Sequence, residues 1–174
     1  MTYYKDEKKR IGSTYKLLMF GILFVDFVDI MYMVERSKAG LHGRAWHEGA
    51  GAVPFLGAGL LGGMAIIFLY MNYKLFWINE QGKKAFLPKK YEITPLTLKQ
   101  IYGTKIRIMV NAAMIYLFCY AGCYYFILLA NRYPAINYVK NAAEIAEAVL
   151  AAAILAGCFL VYDFITYLGI EKES

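Results

Sequence analysis

Two pairs of acidic side chains lie inside long apolar stretches of the sequence, where an ionised group is costly. Asp26 and Asp29 are three residues apart in the first stretch, and Glu144 and Glu147 have the same spacing in the last. Residues three apart share one face of a helix, so each pair presents two carboxyl groups on one side. This pattern indicates an intramembrane carboxylate cluster that binds a cation or relays protons.

The two acid pairs are predicted to lie at a similar depth in the membrane. Measured from the less basic side, Asp29 lies about five residues inside the first apolar stretch and Glu147 about five inside the last. At the rise of an α-helix, five residues are roughly 7 to 8 Å. The alternative to a cation or proton site is structural, because neutral or paired acids also hydrogen-bond across helix bundles. Under both interpretations we expect Asp26, Asp29 and Glu147 to face protein rather than lipid.

Two histidines are weak candidates for metal ligands. His42 and His47 lie in a glycine-rich connection after the first stretch and could join Asp29 and Glu147 around zinc or iron. Their spacing matches no compact metal motif, and loop histidines without a ligand role are commoner. The sequence also has no phosphate-binding loop and no nucleophile elbow. We therefore predict no metal site, no cofactor and no enzymatic activity.

The third apolar stretch is rich in tyrosine. Tyr116, Tyr120 and Tyr124 form a stripe at helical spacing, and buried tyrosine hydroxyls need hydrogen-bond partners. The stripe predicts contact with protein, a bound lipid or a quinone-like ligand. Cys119 and Cys123 are also four residues apart, and helix packing is the favoured interpretation for them rather than metal binding.

Small residues four apart recur in two stretches. They are Ala58, Gly59, Gly62 and Gly63 in the second stretch, and Ala148, Ala152 and Ala156 in the fourth. Such spacing lets two helix backbones approach closely, which is a main source of helix association in lipid. We expect both sets to be helix-packing faces, within this chain or against another.

The elements that position these residues are apolar helices long enough to cross a bilayer. Of the 174 residues, 60% are hydrophobic and 18% are charged, and the charged residues lie mostly between four apolar stretches. About twenty residues of helix cover the ~30 Å hydrocarbon core. The predicted fold is therefore a single all-α integral membrane domain with four transmembrane helices. Its spans cover about residues 15–34, 52–73, 108–130 and 142–168, with an extramembrane segment at about 79–107.

Proline and threonine positions predict where two helices begin. Pro54 is expected in the first turn of the second span, where its missing N–H costs little. Thr94 and Pro95 read as an N-cap and first helical residue, so residues 96–107 are expected to form a helical approach to the third span.

The basic residues are unevenly distributed and predict the orientation. The N-terminal segment, the segment from Lys74 to Arg107 and the tail carry fourteen of the nineteen Lys and Arg, and the opposite connections carry five. The positive-inside rule then puts both termini on the same cytoplasmic or matrix side. The charge beside the spans also predicts contact with anionic lipid head groups and argues against nucleic-acid binding.

Two function classes fit this sequence. The first is a non-catalytic accessory subunit that contacts other membrane subunits in a larger complex, such as an energy-transducing complex of the respiratory chain. The alternative is a small proton- or cation-linked transporter or channel that uses the four intramembrane acids. The many tyrosines and the absence of a cleavable signal suggest the mitochondrial inner membrane, with a bacterial inner membrane as the alternative.

Overall fold

The structure, a computed structural model, describes residues 2–42, 53–80, 83–90, 97–133 and 136–172. Its elements are α1 (Thr2–Ile11), α2 (Thr14–His42), α3 (Ala58–Phe76), β1 (Trp77–Glu80), β2 (Lys83–Phe86), α4 (Leu87–Lys90), α5 (Leu98–Ala130) and α6 (Tyr138–Lys172). Helices α2, α3, α5 and α6 are long and apolar enough to cross a membrane. The prediction of a helical, multi-pass membrane protein with four such helices is confirmed.

Helices α3 and α5 form the centre of the bundle, and α2 and α6 flank them. In the most apolar part of each helix, the buried share is 50% for α3 and 44% for α5, but only 17% for α2 and 11% for α6. Ile67 and Phe68 of α3 join Met109 and Leu117 of α5 in the core. The two flanking helices therefore present most of their apolar surface to the outside of the chain.

A tight turn joins the short basic helix α1 to α2. Gly12 has a φ of +69°, and its N–H donates to the carbonyl of Lys9 at 3.1 Å, which ends α1. Glycine suits this left-handed position because it has no Cβ. The Arg10 guanidinium donates to the carbonyl of Lys74, so α1 lies against the C-terminal end of α3. Sequence analysis predicted only a charged segment here.

A two-stranded hairpin follows α3 and was not predicted. Strands β1 and β2 pair antiparallel with Trp77 opposite Phe86 and Glu80 opposite Lys83. The rings of Trp77 and Phe86 meet edge to face at 5.2 Å. The one available signal was Gly82 in a two-residue connection, because the flanking runs WINE and KKAF contain few strand-forming residues.

The predicted start of the second transmembrane helix is wrong. Helix α3 begins at Ala58 rather than near residue 52, and the preceding Gly57 is extended, with φ −103° and ψ 168°. Pro54 therefore lies before the helix instead of in its first turn. The backbone groups of residues 53–56 bond to side chains of α5 and α6, as described below, and this tertiary bonding replaces the helical bonds expected there.

The third transmembrane helix also has a different N-cap from the predicted one. Thr97, and not Thr94, caps α5: its hydroxyl accepts from the N–H of Gln100 at 3.3 Å, and the Gln100 side chain accepts from the N–H of Thr97 at 3.0 Å. This capping box satisfies two N–H groups at the start of α5. Thr94 and Pro95 lie outside the described residues. The predicted helical approach is continuous with the span from Leu98 onward.

Candidate functional site

The candidate site is built around residues 53–57, which precede α3 and which we call the pre-α3 segment. These residues form neither helix nor strand, yet Val53 and Phe55 are buried in the bundle. The Phe55 ring packs edge-on against Tyr120 at 5.3 Å and Tyr124 at 5.1 Å. Backbone polar groups in the membrane must be satisfied by protein. A non-helical segment here therefore needs side-chain partners.

The tyrosine stripe of α5 provides the hydrogen-bond donors. The Tyr120 hydroxyl donates to the carbonyl of Phe55 at 3.1 Å, and the Tyr124 hydroxyl donates to the carbonyl of Val53 at 2.6 Å. Both tyrosines are almost fully buried. The sequence pattern indicated that these hydroxyls need partners, and in the structure the partners are backbone carbonyls of this chain.

Glu144 of α6 provides the matching acceptor. Its Oε2 accepts from the N–H of Phe55 at 2.5 Å and from the N–H of Leu56 at 2.9 Å. Its Oε1 lies 3.7 Å from the Lys140 ammonium one helical turn earlier. Glu144 thus ties the start of α6 to the pre-α3 segment, and its negative charge lies near the N-terminus of α3, where a helix dipole favours it.

Asp26 of α2 is held by the first tyrosine of the stripe. The Tyr116 hydroxyl donates to Asp26 Oδ2 at 2.6 Å, and both residues are buried. The other carboxyl oxygen, Oδ1, lies beside Gly59, where a Cβ would come within 2.9 Å of it. The Asp26 carboxyl group therefore contacts both α5 and α3.

The small residues of α3 are used unequally. A Cβ at Gly63 would overlap the Tyr116 hydroxyl and lie 2.7 Å from Ile22 Cγ2, so α2 and α5 reach α3 at this position only because it is glycine. At Gly62, by contrast, a Cβ would meet nothing within 4 Å. Ala58 is exposed. Close packing in α3 therefore uses Gly59 and Gly63 rather than Ala58 and Gly62.

The small residues of α6 lie against the centre of the bundle. Ala148 is fully buried, and Ala152 and Ala156 are half-buried and pack against the core. Because α6 packs mainly on α3, these small side chains bring the two helix backbones together.

The second acid of each pair lies on the surface of the chain. Asp29 is exposed beside the start of α3, and Glu147 is exposed on α6. Among the described residues, neither side chain forms a hydrogen bond or an ion pair. Asp26 thus faces protein, whereas Asp29 and Glu147 are exposed, although the Asp29 carboxyl group lies beside Gly59 and close to that of Asp26. A single cation or proton site shared by all four acids stays a prediction.

The histidines and cysteines give no further site in the part of the chain that the structure describes. His42 is the last residue of α2, and His47 lies outside the described residues. No group of three or more His, Cys, Asp or Glu among the described residues is placed to hold a metal ion. Cys119 and Cys123 are free thiols and half-buried, and Cys158 is a free thiol and exposed.

A second polar cluster, missed by sequence analysis, lies at the other end of α3. The fully buried Lys105 of α5 donates to the carbonyl of Leu75, and its ammonium is 4.5 Å from the centre of the Phe76 ring. Arg10 binds the neighbouring carbonyl of Lys74. Two basic side chains therefore meet the negative end of the α3 dipole.

Asn72 and Asp163 complete this second cluster. The Asn72 amide nitrogen is 3.5 Å from Asp163 Oδ1, and both side chains are buried between α3 and α6. In the sequence, Lys105 indicated only the orientation of the chain, as one of its basic residues. Its spacing from Ile101 and Ile108, which are also buried, was the signal that it faces the core.

No protein-family model matches the chain, and no curated protein or solved structure is significantly similar to it. Asp26 and Glu144 each have close partners that fix one element against another. Asp29 and Glu147 lie on the outside of α2 and α6. The arrangement can organise a bundle and can present carboxyl groups to a neighbour.

Proposed function

We propose that the chain is a non-catalytic accessory subunit of a multi-subunit membrane complex. The observation that carries this proposal is the exposure of Asp29 and Glu147 on α2 and α6, two helices that are long and apolar enough to cross a membrane. A charged carboxyl group facing acyl chains costs about 2.5 to 3.5 kcal/mol at the centre of a membrane span. A neighbouring subunit that covers these faces and offers hydrogen-bond donors or cations would offset that cost.

The roles of the two inner acids also favour an architectural function. Asp26 accepts from Tyr116, and Glu144 accepts from two backbone N–H groups of the pre-α3 segment. A proton or cation carrier needs carboxyl groups that exchange their partners during transport. These two carboxyl groups are instead committed to holding elements together.

The alternative is a small proton- or cation-linked transporter or channel, and one observation favours it. Asp26 lines an open groove of about 640 Å³ between α2 and α3, whose other walls include Gly59 and Gly62. A cation entering this groove would meet a carboxyl group. Four spans leave little room for a gated pathway, so this function would require several copies of the chain.

We also propose that both termini lie on the cytoplasmic or matrix side of an energy-transducing membrane, with a mitochondrial inner membrane favoured over a bacterial one. The basic residues support the orientation, and so do the contacts of Arg10 with Lys74 and of Asn72 with Asp163, which join α1, α3 and α6 near one end of the bundle. Single cysteines at Ser37 and Asn79, in a chain whose native cysteines are replaced by alanine, should label from opposite sides. Labelling from the same side would contradict this orientation.

Isolation from the native membrane separates the two functions. An affinity-tagged chain, extracted in mild detergent, should migrate as one large complex with several different polypeptides in fixed stoichiometry. Recovery as a monomer or homo-oligomer would contradict the subunit proposal. If that homo-oligomer also conducted protons or cations in vesicles, and Asp26→Asn abolished the flux, the alternative would replace it.

A further inference from the structure

A groove of about 540 Å³ opens where α1, α2 and α5 meet. One part of its lining is basic, with Lys8 of α1 and Lys16 of α2, and another part is apolar, with Leu23 of α2 and Ile115 of α5. We propose that this groove binds one anionic glycerophospholipid, whose phosphate is held by the two lysines and whose acyl chain lies along Leu23 and Ile115. This site is independent of the proposed subunit function.

The lysines of the groove are available to a phosphate. Lys8 and Lys16 are exposed, and neither forms an ion pair within the described part of the chain. The acids nearest to Lys8 along α1 do not neutralise it. Glu7 lies 3.2 Å from Arg10, and Asp6 is two residues from Lys8, which places it roughly 200° around the helix.

A third cation reinforces the basic end of the groove. The Arg107 guanidinium of α5 lies 5.7 Å from the centre of the Tyr4 ring, and Tyr4 lines the groove one helical turn from Lys8. Clusters of Lys and Arg beside membrane helices attract anionic lipid head groups. The charge at this end therefore suits a phosphodiester better than a neutral or cationic ligand.

Asn111 marks the level below the phosphate. This amide side chain lines the groove and is exposed on α5, and it has no hydrogen-bond partner among the described residues. It lies four residues beyond Arg107, which is about 6 Å further along the helix. An amide at this depth requires a polar partner, and the ester carbonyls of a phospholipid lie just below its phosphate.

The remaining wall suits an acyl chain. Met19, Phe20 and Leu23 of α2 face Ile115 of α5 across the groove. The Tyr15 hydroxyl at this wall is already bonded, at 3.3 Å to the sulfur of Met19 and at 3.4 Å to the carbonyl of Ala112, so it does not make the wall polar. A soluble phosphate would not use this apolar half, and a partner helix would not require the two lysines.

Native mass spectrometry of the purified full-length chain tests the site. We expect one tightly held phosphatidylglycerol and weaker retention of phosphatidylcholine with the same acyl chains. Replacing both Lys8 and Lys16 with glutamine should weaken phosphatidylglycerol binding on the order of tenfold or more. The matched control replaces Lys5 and Lys9, two exposed lysines of α1 that do not line the groove, with glutamine and should leave binding within about twofold.

A second variant tests the acyl-chain half without changing charge. Ile115→Trp fills the apolar part of the groove and should lower occupancy by the phospholipid, while circular dichroism and size-exclusion elution match those of the unmodified chain. Equal retention of the two lipids, or an equal loss of phosphatidylglycerol binding in the two lysine double variants, would contradict a defined site and show a diffuse basic surface. Displacement of the lipid by millimolar inorganic phosphate would show a free-anion site, and unchanged occupancy in Ile115→Trp would overturn the acyl-chain placement.

Discussion

Tyr116 shows how a single hydroxyl keeps an acid inside this bundle. Its hydroxyl lies 2.6 Å from Asp26 Oδ2, and both side chains are buried. Tyr116→Phe removes the only hydrogen-bond donor to this carboxyl oxygen among the described residues, and an unsatisfied buried group costs about 1 to 3 kcal/mol. We expect the free energy of unfolding, measured by SDS titration in mixed micelles, to fall by that amount.

Matched variants distinguish this bond from a general effect of losing a hydroxyl. Tyr32 is 62% exposed on the same helix as Asp26, so Tyr32→Phe should leave stability nearly unchanged. Asp26→Asn keeps an acceptor for Tyr116 and should cost less than Asp26→Leu. Equal losses in Tyr116→Phe and Tyr32→Phe would contradict the structural role of the bond.

The adjacent glycines Gly62 and Gly63 offer a second test at single positions. Gly63→Ala should destabilise the bundle, since the new methyl group would meet Tyr116 and Ile22. Gly62→Ala should be neutral or slightly stabilising because its surroundings are open and alanine is the better helix former. The same unfolding titration measures both, and the reverse order would show that the α2–α3 approach is not as described.

The sequence alone predicted part of these side-chain contacts. The spacing of Tyr116, Tyr120 and Tyr124 predicted one face and hydroxyls in need of partners. It could not identify those partners, because Phe55 and Val53 are 65 and 71 residues away from the tyrosines that bond them, and helical spacing carries no information about contacts between elements. The acid spacing likewise did not distinguish the buried Asp26 from the exposed Asp29.

At the scale of elements, Glu144 fixes the pre-α3 segment against α6. Glu144→Ala removes the acceptor of the N–H groups of Phe55 and Leu56, and we expect a loss of about 2 kcal/mol or more in unfolding free energy. These two amides should also exchange with deuterium faster than in the unmodified chain. Glu147, exposed one turn later on the same helix, is the control.

Glu147→Ala is the control that shows whether the effect of Glu144→Ala is specific to the pre-α3 segment. Glu147→Ala in the isolated chain should change neither stability nor the exchange of Phe55 and Leu56, because Glu147 touches neither amide. If both alanine variants behaved alike, the pre-α3 segment would be held by the tyrosines alone. Glu144→Gln, which keeps an acceptor, should fall between Glu144→Ala and the unmodified chain.

The transmembrane helices were predictable, and the short elements were not. Apolar length alone indicated α2, α3, α5 and α6, because a bilayer requires about twenty apolar residues per helix. The start of α3 was misplaced because residues 53–57 are as apolar as a helix, and their hydrogen bonds to side chains of α5 and α6 replace the helical ones. Helix α1 and the β1–β2 hairpin are too short for an apolar pattern to reveal them.

At the scale of the whole molecule, the bundle has a packed centre and unpartnered flanks. In the most apolar part of each flanking helix, only 17% of α2 and 11% of α6 is buried. These two helices also carry the exposed acids Asp29 and Glu147. A lone chain would present both carboxyl groups to lipid. Coverage of these two faces by other subunits is the central claim of the proposed function.

Photo-crosslinking in the native membrane tests that claim most directly. Benzoylphenylalanine would replace Val25, which is 65% exposed one turn from Asp29, or Leu150, which is 62% exposed one turn from Glu147. Phe118, 81% exposed on α5, which carries neither acid, is the comparison site. We predict crosslinks from Val25 and Leu150 to other polypeptides, in higher yield than from Phe118. Adducts with lipid alone at both acid-bearing faces would contradict the account.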